Sequence, residues 1–172
     1  MMARAHPIFA LRPFLPADAP LLAEIFRASI EELTGDDYSE AQQAAWSAAA
    51  DDEEAFAGRL AGALTLLATL EGSPVGFVSL EQPETIDLLY VHPAVARQGV
   101  GAMLLDAIER LMAARGATRL TADVSDSARD FFATRGYQPQ RRNTVSCQGE
   151  WLANTTMEKP LGDAGAAKGG NR

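Results

Sequence analysis

The sequence predicts a single α+β domain organised around one mixed β-sheet. Its 172 residues are 47% hydrophobic, enough to bury one sizeable core. Strand-like and helix-like apolar patterns follow one another in the order β-α-α-α-β-β-β-α-β-α-β-β. The strand–helix–strand connections in the middle of this order require parallel pairing, whereas the hairpins are antiparallel. The domain is predicted to cover residues 1–162, with a small, polar and disordered tail at residues 163–172.

The first half of the chain is predicted to supply one strand and three helices. Residues 7–12 have strand character, and Asp18 is the expected cap of the first helix. Ser39 is the expected cap of the second helix, and residues 52–62, with acidic residues in the first turn, predict the third. The first helix should bury one apolar stripe: Leu21, Leu22, Ile25, Phe26, Ser29 and Ile30.

The middle of the chain predicts a hairpin, a third strand and a long helix. Two β-rich runs meet at Gly72–Ser73, and the run at 84–92 follows them. A helix is expected over residues 99–115, with Gly116 as its stop. Its core face is predicted to hold Val100, Met103, Leu104, Ala107, Ile108, Leu111 and Met112, and its outer face Asp106, Glu109 and Arg110.

The last part of the chain predicts a strand, a short helix and a second hairpin. Residues 118–124 have strand character, and the helix over residues 126–135 should end at Gly136. Two final strands are predicted to join near Gly149.

Charge and composition disfavour several classes of partner. The formal net charge is −8 and the pI about 4.7, so a nucleic-acid partner is not expected. An acidic balance is compatible with a cationic small substrate, but most acidic surfaces are simply solvated. Cys147 is the only cysteine, and His6 and His92 lie far apart in sequence, so no disulfide or metal site is expected. No signal peptide or membrane span is predicted, and the expected location is cytoplasmic.

Residues 97–101, Arg-Gln-Gly-Val-Gly, lie between an apolar strand and a helix and predict an anion site. The first turn of a helix has unpaired N–H groups and a partial positive charge. Glycine at 99 and 101 lets a bulky anion approach the backbone, and Arg97 adds a formal charge, which together suit a pyrophosphate. A turn that uses glycine only for backbone reasons remains an alternative at this point.

Two common phosphate-binding motifs do not fit these glycines. A Walker loop needs a lysine directly after its second glycine, and none follows. A dinucleotide fingerprint needs a third glycine at position 104, which is Leu104, and it follows the first strand of its domain. A nucleotide-binding oxidoreductase is therefore disfavoured.

The arrangement resembles the GCN5-related N-acetyltransferase (GNAT) family, in particular its bacterial small-molecule-type members. The resemblance covers roughly residues 7–160 and rests on three segments in the right order: RPFLPADAPLLAEIF, LLYVHPAVARQGVGAMLLDAIERL and TADVSDSARDFFATRGYQP. It implies a three-layer α-β-α fold with a splayed central sheet. It further implies an enzyme that moves the acetyl group of acetyl-CoA to a primary amine of a small molecule by direct attack in a ternary complex, as a monomer or homodimer. The alternative is a non-catalytic acyl-CoA-binding sensor or adaptor of the same fold.

The resemblance also implies which residues hold acetyl-CoA. The glycine loop would grip the pyrophosphate, and the pantetheine arm would fill a gap beside the preceding strand, opened by a β-bulge. In the family an Arg or Gln stands three residues before the first glycine; here it is Ala96, with Arg97 adjacent. The implied set is Leu89, Tyr90, Val91, Arg97, Gln98, Gly99, Val100, Gly101, Ala102, Ser125, Ala128, Phe131 and Phe132.

Asp87 is the predicted general base, with Glu84 as the alternative. An amine must lose a proton before it attacks, and a carboxylate can accept that proton. Strand alternation places Asp87 with Thr85, Leu89 and Val91 on one face, and Ile86, Leu88 and Tyr90 on the other. A charged residue within an apolar strand is costly unless it has a partner or a task. A solvated carboxylate without a catalytic role remains the competing interpretation.

The general acid and the acceptor pocket are less well defined by the sequence. Many relatives carry a tyrosine where this chain has Phe132, which cannot donate a proton to the leaving thiolate. Either Tyr90 replaces that tyrosine as the general acid, or the enzyme works without a dedicated acid. Tyr137 is expected to pack in the core. Three aromatic residues could line the acceptor pocket, although core packing explains them as well: Tyr38, Trp46 and Phe56.

Overall fold

The computed structural model describes residues 6–81 and 83–162. It confirms the predicted order of elements. These are β1 Phe9–Pro13, α1 Ala19–Leu33, α2 Glu40–Ser47, α3 Glu53–Ala61, β2 Leu64–Leu70, β3 Ser73–Glu81, β4 Thr85–Val91, α4 Val100–Ala114, β5 Arg119–Ser125, α5 Arg129–Thr134, β6 Gln138–Cys147 and β7 Glu150–Pro160. The predicted disordered tail, 163–172, lies outside the described residues.

One seven-stranded sheet organises these elements, in the order β1-β2-β3-β4-β5-β7-β6. Every neighbouring pair is antiparallel except β4 and β5, which confirms the predicted mixed sheet. The parallel pairing consists of two residue pairs, Thr85 with Thr121 and Ile86 with Ala122. Beyond these pairs the two central strands separate, so the sheet is splayed at its middle as expected.

A β-bulge on β4 accompanies this separation. In the pairing of β3 with β4, Ser79 lies opposite Leu88 and Leu80 lies opposite Ile86, which leaves Asp87 as an extra residue. A bulge bends its strand and increases the local twist. The bulge that the family resemblance implied is therefore present, at the residue predicted as the base.

The bulge makes the predicted strand alternation wrong at two positions. Ile86 packs on the α4 face of the sheet, whereas Leu88 packs on the opposite face, beneath α1. Asp87 bonds to Arg59 of α3, on the α1 side, and not on the face of Leu89 and Val91 where alternation placed it. The physical reason is that one extra residue shifts the phase of the pleat.

Two apolar cores lie on the two faces of the sheet. One contains α4, Phe132 of α5 and Tyr137, and the other is formed by α1 and α3. Gly76 of β3 lets α4 pack close to the sheet, because a Cβ there would lie 3.0 Å from Val100 Cγ1 and 3.2 Å from Leu104 Cδ1. The result is the α-β-α layering expected from the sequence.

Helix caps and turns follow the sequence in most places. The side chain of Ser39 accepts the Gln42 N–H at 3.1 Å, so this predicted cap is confirmed. Asp52, the predicted start of the third helix, caps α3 by accepting the Ala55 N–H at 3.0 Å. The predicted glycine positions at the turns, Gly72, Gly116, Gly136 and Gly149, all have positive φ.

Three predictions about individual side chains are wrong. Asp18 does not cap α1, because its carboxylate binds the Arg12 guanidinium and the Leu15 N–H. Leu21 is exposed rather than part of the buried stripe. Glu109 is buried, and its charge is compensated by Lys159 of β7 instead of by solvent. For Glu109 the partner that decides the outcome lies 50 positions away in the sequence.

Within the described ranges, none of the helices combines the length and the apolar character needed to cross a membrane.

Candidate functional site

The glycine loop before α4 has the backbone geometry of an anion-binding nest. Gly99 caps α4 with a φ of 87°, and Arg97 also has a positive φ of 62°. Alternating left-handed residues of this kind turn backbone N–H groups toward one side. Gly99 contributes no side chain, so the free amides in the first turn of the 15-residue α4 stay accessible.

The two glycines of the loop have different roles. A Cβ at Gly99 would meet nothing within 4 Å, so the space beside it is open. A Cβ at Gly101 would lie 3.3 Å from the Phe131 ring and 3.7 Å from the Val91 side chain. Gly101 therefore allows Phe131 of α5 to pack against the loop, whereas Gly99 provides the left-handed turn and the open approach.

A cavity of about 490 Å³ lies against this loop. It is walled by α1, β4, the loop and α5, and among the described residues Arg97 is the only one in its lining with a formal charge. Arg97 is exposed and takes part in no ion pair within the described part of the chain. The cavity brings together ten of the predicted cofactor residues: Leu89, Val91, Arg97, Gly99, Val100, Gly101, Ala102, Ala128, Phe131 and Phe132.

The gap between β4 and β5 continues this cavity. A space of about 200 Å³ extends between the separated strands and shares Leu89, Ala128 and Phe132 with the loop cavity. Its walls include Tyr90 and Ser125, two further predicted residues, whereas Gln98 lines neither space. The edge of β4 that faces β5 has no strand partner beyond Ile86, which leaves backbone groups open toward the gap.

A third cavity, of about 290 Å³, lies at the other end of the gap and is called the inner cavity here. It shares Trp46, Asp87, Tyr90, Asp123 and Ser125 with the gap. Strands β6 and β7 close its far side. The three spaces share lining residues and follow one another along the split in the sheet, with the anion nest at one end; this row of cavities is called the channel here.

Asp87 lies where the gap meets the inner cavity and is held by Arg59. The guanidinium donates Nε to Oδ2 at 2.8 Å and Nη2 to Oδ1 at 2.7 Å, a bidentate pair. The Asp87 side chain is 18% exposed. The hydrogen bond to this carboxylate raises the pKa of Arg59. Sequence reasoning found Asp87 but missed Arg59, since the two residues lie on different elements.

Glu84 lies outside the channel. Its carboxylate accepts a hydrogen bond from Arg119 Nε at 3.1 Å, at the start of β4. It lines neither the gap nor the inner cavity. Of the two carboxylates, the structure therefore places Asp87, and not Glu84, at the gap and the inner cavity.

The three aromatic residues predicted for the acceptor pocket lie in different places. Trp46 lines both the gap and the inner cavity, and Tyr38 lines the inner cavity. The Tyr38 hydroxyl donates to the Ala153 carbonyl at 2.6 Å and accepts the Asp126 N–H at 2.9 Å. Phe56 is instead a core residue, 2% exposed, and lies outside these cavities.

Tyr90 lines both the gap and the inner cavity and brings a hydroxyl group to their junction. Trp46 Nε1 donates to its oxygen at 3.2 Å, which leaves the hydroxyl proton free for another acceptor. Burial raises the pKa of Tyr90, so the phenol stays protonated at neutral pH. Phe132 has no such proton, and Tyr137 is 2% exposed, packed edge-to-face on Phe132 as predicted for a core residue.

Asp123 of β5 is a functional candidate that the sequence did not reveal. Its carboxylate is exposed, lines both the gap and the inner cavity, and accepts the Thr156 hydroxyl at 2.6 Å. Polar and apolar residues alternate along β5, so an aspartate there resembles any solvated strand residue in the sequence.

No group of three or more metal-ligating side chains is arranged to hold an ion in residues 6–81 and 83–162.

Comparison with known proteins gives one consistent result. The family described as Acetyltransferase (GNAT) domain matches residues 34–161. The uncharacterized N-acetyltransferase YafP of Escherichia coli strain K12 is 32% identical over 147 residues, which cover 86% of this chain and 93% of YafP.

Solved structures agree with this assignment. A GCN5-related N-acetyltransferase from Rhodopseudomonas palustris superposes with a TM-score of 0.88 at 61% identity, covering 94% of this chain and 99% of that one. PaiA N-acetyltransferase from Thermoplasma acidophilum, solved in complex with coenzyme A, superposes with a TM-score of 0.76 over 89% of this chain and 99% of its own. At 19% identity this second likeness shows the shared fold.

Proposed function

The chain belongs to the GNAT acetyltransferase family and is an acetyl-CoA-dependent N-acetyltransferase, and we propose that it acetylates a primary amine of a small molecule by direct attack in a ternary complex. The observation that carries this proposal is the channel through the split sheet. It joins an anion nest to a cavity that contains two carboxylates, Asp87 and Asp123.

The residues of the channel suit two parts of acetyl-CoA, its pyrophosphate and its pantetheine arm. The amides of the loop, with Arg97 beside them, would hold the pyrophosphate. The open edge of β4 at residues 89–91 would supply backbone hydrogen bonds to the amide-containing pantetheine arm. Ala128, Phe131 and Phe132 would pack against the arm, and Ser125 lies further along the gap. When bound, acetyl-CoA supplies the activated acetyl thioester.

A ternary complex is supported by the two openings of the channel. The glycine loop lies at one end and the inner cavity at the other, so cofactor and acceptor would enter from different sides. No covalent enzyme intermediate is needed in this arrangement. Cys147 lines the inner cavity, but its thiol is directed at the Ala45 carbonyl at 3.3 Å, and no activating base is among its hydrogen-bond partners in the described residues.

Asp87 is the proton acceptor in this proposal. Both of its oxygens bind Arg59, which fixes the carboxylate in one orientation. Each carboxylate oxygen has two lone pairs, so it can still accept a proton from the amine, directly or through a water molecule. The acceptor nitrogen would thereby become a neutral nucleophile.

Tyr90 is the proton donor that we propose for the leaving sulfur. Its hydroxyl lies at the junction of the gap and the inner cavity and keeps its proton at neutral pH. The Trp46 N–H occupies one lone pair of the oxygen and directs the hydroxyl proton elsewhere. This role replaces the tyrosine that many relatives carry where this chain has Phe132.

A panel of small amines tests the proposed function. Purified protein, acetyl-CoA and each amine are mixed, and the release of free CoA is followed with a thiol reagent. Turnover that depends on a small primary amine supports the proposal. Hydrolysis of acetyl-CoA alone, or transfer only to protein amines, contradicts it.

Kinetics with both substrates varied test the direct attack. Sequential kinetics, with intersecting double-reciprocal plots, are expected for a ternary complex. Ping-pong kinetics would overturn this part of the proposal, and the Cys147→Ala variant would then be the first to examine.

A further inference from the structure

Asp123 and Asp87 face each other where the sheet splits. The parallel pairing of β4 and β5 ends at Ile86 with Ala122, so the next residue on each strand is an aspartate at the start of the gap. Both side chains line the gap and the inner cavity. The site proposed for amine deprotonation therefore has a second carboxylate across from the first.

A chain of hydrogen bonds orients the Asp123 carboxylate. The Asn143 amide nitrogen donates to Asn154 Oδ1 at 2.9 Å and to Thr156 Oγ1 at 2.8 Å. Because this nitrogen only donates, the Thr156 hydroxyl uses its single proton for Asp123 Oδ1, at 2.6 Å. Asp123 Oδ2 has no hydrogen-bond partner among the described residues, which leaves it free for a ligand in the channel.

The charges that line the inner cavity sum to one negative charge. Its lining holds two carboxylates, Asp87 and Asp123, and one cation, Arg59. Arg59 is committed to Asp87 by two hydrogen bonds, whereas no cation of residues 6–81 and 83–162 pairs with Asp123. The uncompensated charge is therefore that of Asp123, and it suits a ligand with one positive charge.

We propose that Asp123 binds the ammonium group of the acceptor, oriented by Thr156 and Asn143, and that it selects primary amines with a single positive charge. An ammonium group has three N–H bonds, so it can donate to Asp123 Oδ2 and still present a proton to Asp87. The apolar stem of the amine then packs on aromatic rings of the inner cavity, Phe26, Trp46 and Tyr90. This assignment rests on the proposed function and specifies the substrate class of the same site.

Four probes of similar size test the selectivity: n-butylamine, 1,4-diaminobutane, 4-aminobutyrate and aniline. At pH 7 they carry one positive charge, two positive charges, a balanced pair of charges and no charge. The kcat/KM for butylamine is expected to exceed that for aniline by about tenfold or more, because uncharged aniline cannot form the charged hydrogen bond to Asp123, which is worth about that factor. It should also exceed the values for 1,4-diaminobutane and 4-aminobutyrate, because the described lining of the inner cavity offers no free partner for their second charge. An equal or higher kcat/KM for aniline or 4-aminobutyrate would overturn the assignment.

Substitutions of Asp123 and Thr156 test the roles proposed for these two residues. Asp123→Asn should raise the KM for butylamine about 10- to 100-fold and leave the KM for acetyl-CoA unchanged, because it removes the charge and keeps the size. Thr156→Val should raise the same KM about threefold with little change in kcat, whereas Thr156→Ser, which keeps the hydroxyl, should restore it. Asp106→Asn, an exposed aspartate of α4 outside the channel, is the matched control. An unchanged KM in Asp123→Asn would refute the role of Asp123.

Binding separates this inference from the proposed function. Butylammonium is titrated calorimetrically into the protein saturated with CoA. If none of the four probes is acetylated but butylammonium binds to the native protein and not to Asp123→Asn, the ammonium site stands and the proposed small-molecule function fails. If amines are acetylated with the same KM in both proteins, the function stands and this assignment fails. If no probe is acetylated and no probe binds, the assignment is overturned.

Discussion

The two ends of the channel are built in different ways. The anion nest at the cofactor end is formed by one short segment, residues 96–102. The acceptor end consists of residues from α1, α2, α3 and the four strands β4 to β7, and the charged residues in its described lining are Arg59, Asp87 and Asp123. A site made from consecutive backbone amides depends mainly on local conformation, whereas a site made from distant side chains exists only after folding. Substitutions at the two ends should therefore have different kinetic effects.

Removal of the Asp87 charge should have the largest effect on activity, and it should act through the acceptor end without changing cofactor binding. Asp87→Asn is expected to lower kcat by about 10²- to 10⁴-fold, the usual contribution of a positioned general base. The Kd for acetyl-CoA, measured by isothermal titration, should stay within about twofold of that of the native protein. Asp18→Asn is the matched control, because it also breaks a bidentate pair with an arginine, and Asp18 lines none of the three cavities of the channel. A native kcat in Asp87→Asn would remove Asp87 from the chemistry.

The reverse pattern is expected at the cofactor end. Gly99→Glu places a negative charge and a side chain in the left-handed turn that caps α4, and should weaken acetyl-CoA binding by about 100-fold or more. Gly149→Glu is the control, since Gly149 also has a positive φ with open space around it, in the β6–β7 turn. Equal acetyl-CoA affinity in the two variants would move the anion site away from the loop.

The position of α4 is a further test of the cofactor end. Gly76→Ala should destabilise the fold by about 1–3 kcal/mol, because the new Cβ meets Val100, Leu104 and the Tyr90 carbonyl at 3.0–3.2 Å. Chemical denaturation gives this difference in the free energy of unfolding. Since Val100 belongs to the first turn of α4, acetyl-CoA affinity should fall as well. A variant with native stability would show that α4 can shift without cost.

The smallest effect is expected at the start of α1, which forms a wall of the acceptor end. Asp18→Asn should cost about 1 kcal/mol of stability at pH 7, since it loses charged hydrogen bonds with Arg12. The Arg12 hydrogen bond lowers the pKa of Asp18 below its ordinary value of 3.8. The stabilisation is therefore fully present above that value and is lost as the pH falls through the lower pKa of the folded state. Unfolding free energies of native and variant protein should converge on acidification; a constant difference would exclude the ion pair as the cause.

The sequence alone determined the order of the elements, the turns and the glycine loop. Ser39, Asp52 and the turn glycines act through hydrogen bonds and backbone angles within a few residues, so their effects appear in local sequence patterns. The loop belongs to the same class. The resemblance to the family then supplied the splayed sheet and the cofactor, which local patterns do not contain.

Only the tertiary structure decided how the charges are arranged. The sequence located Asp87, but the bulge that turns its side chain toward α3 depends on the pairing of β4 with β3. Arg59 meets Asp87 across 28 positions in the chain, and Glu109 meets Lys159 across 50. Asp123 became a candidate because β4 and β5 separate beside it. A charge takes its role from the groups that desolvate and neutralise it, and in this protein those groups come from distant elements.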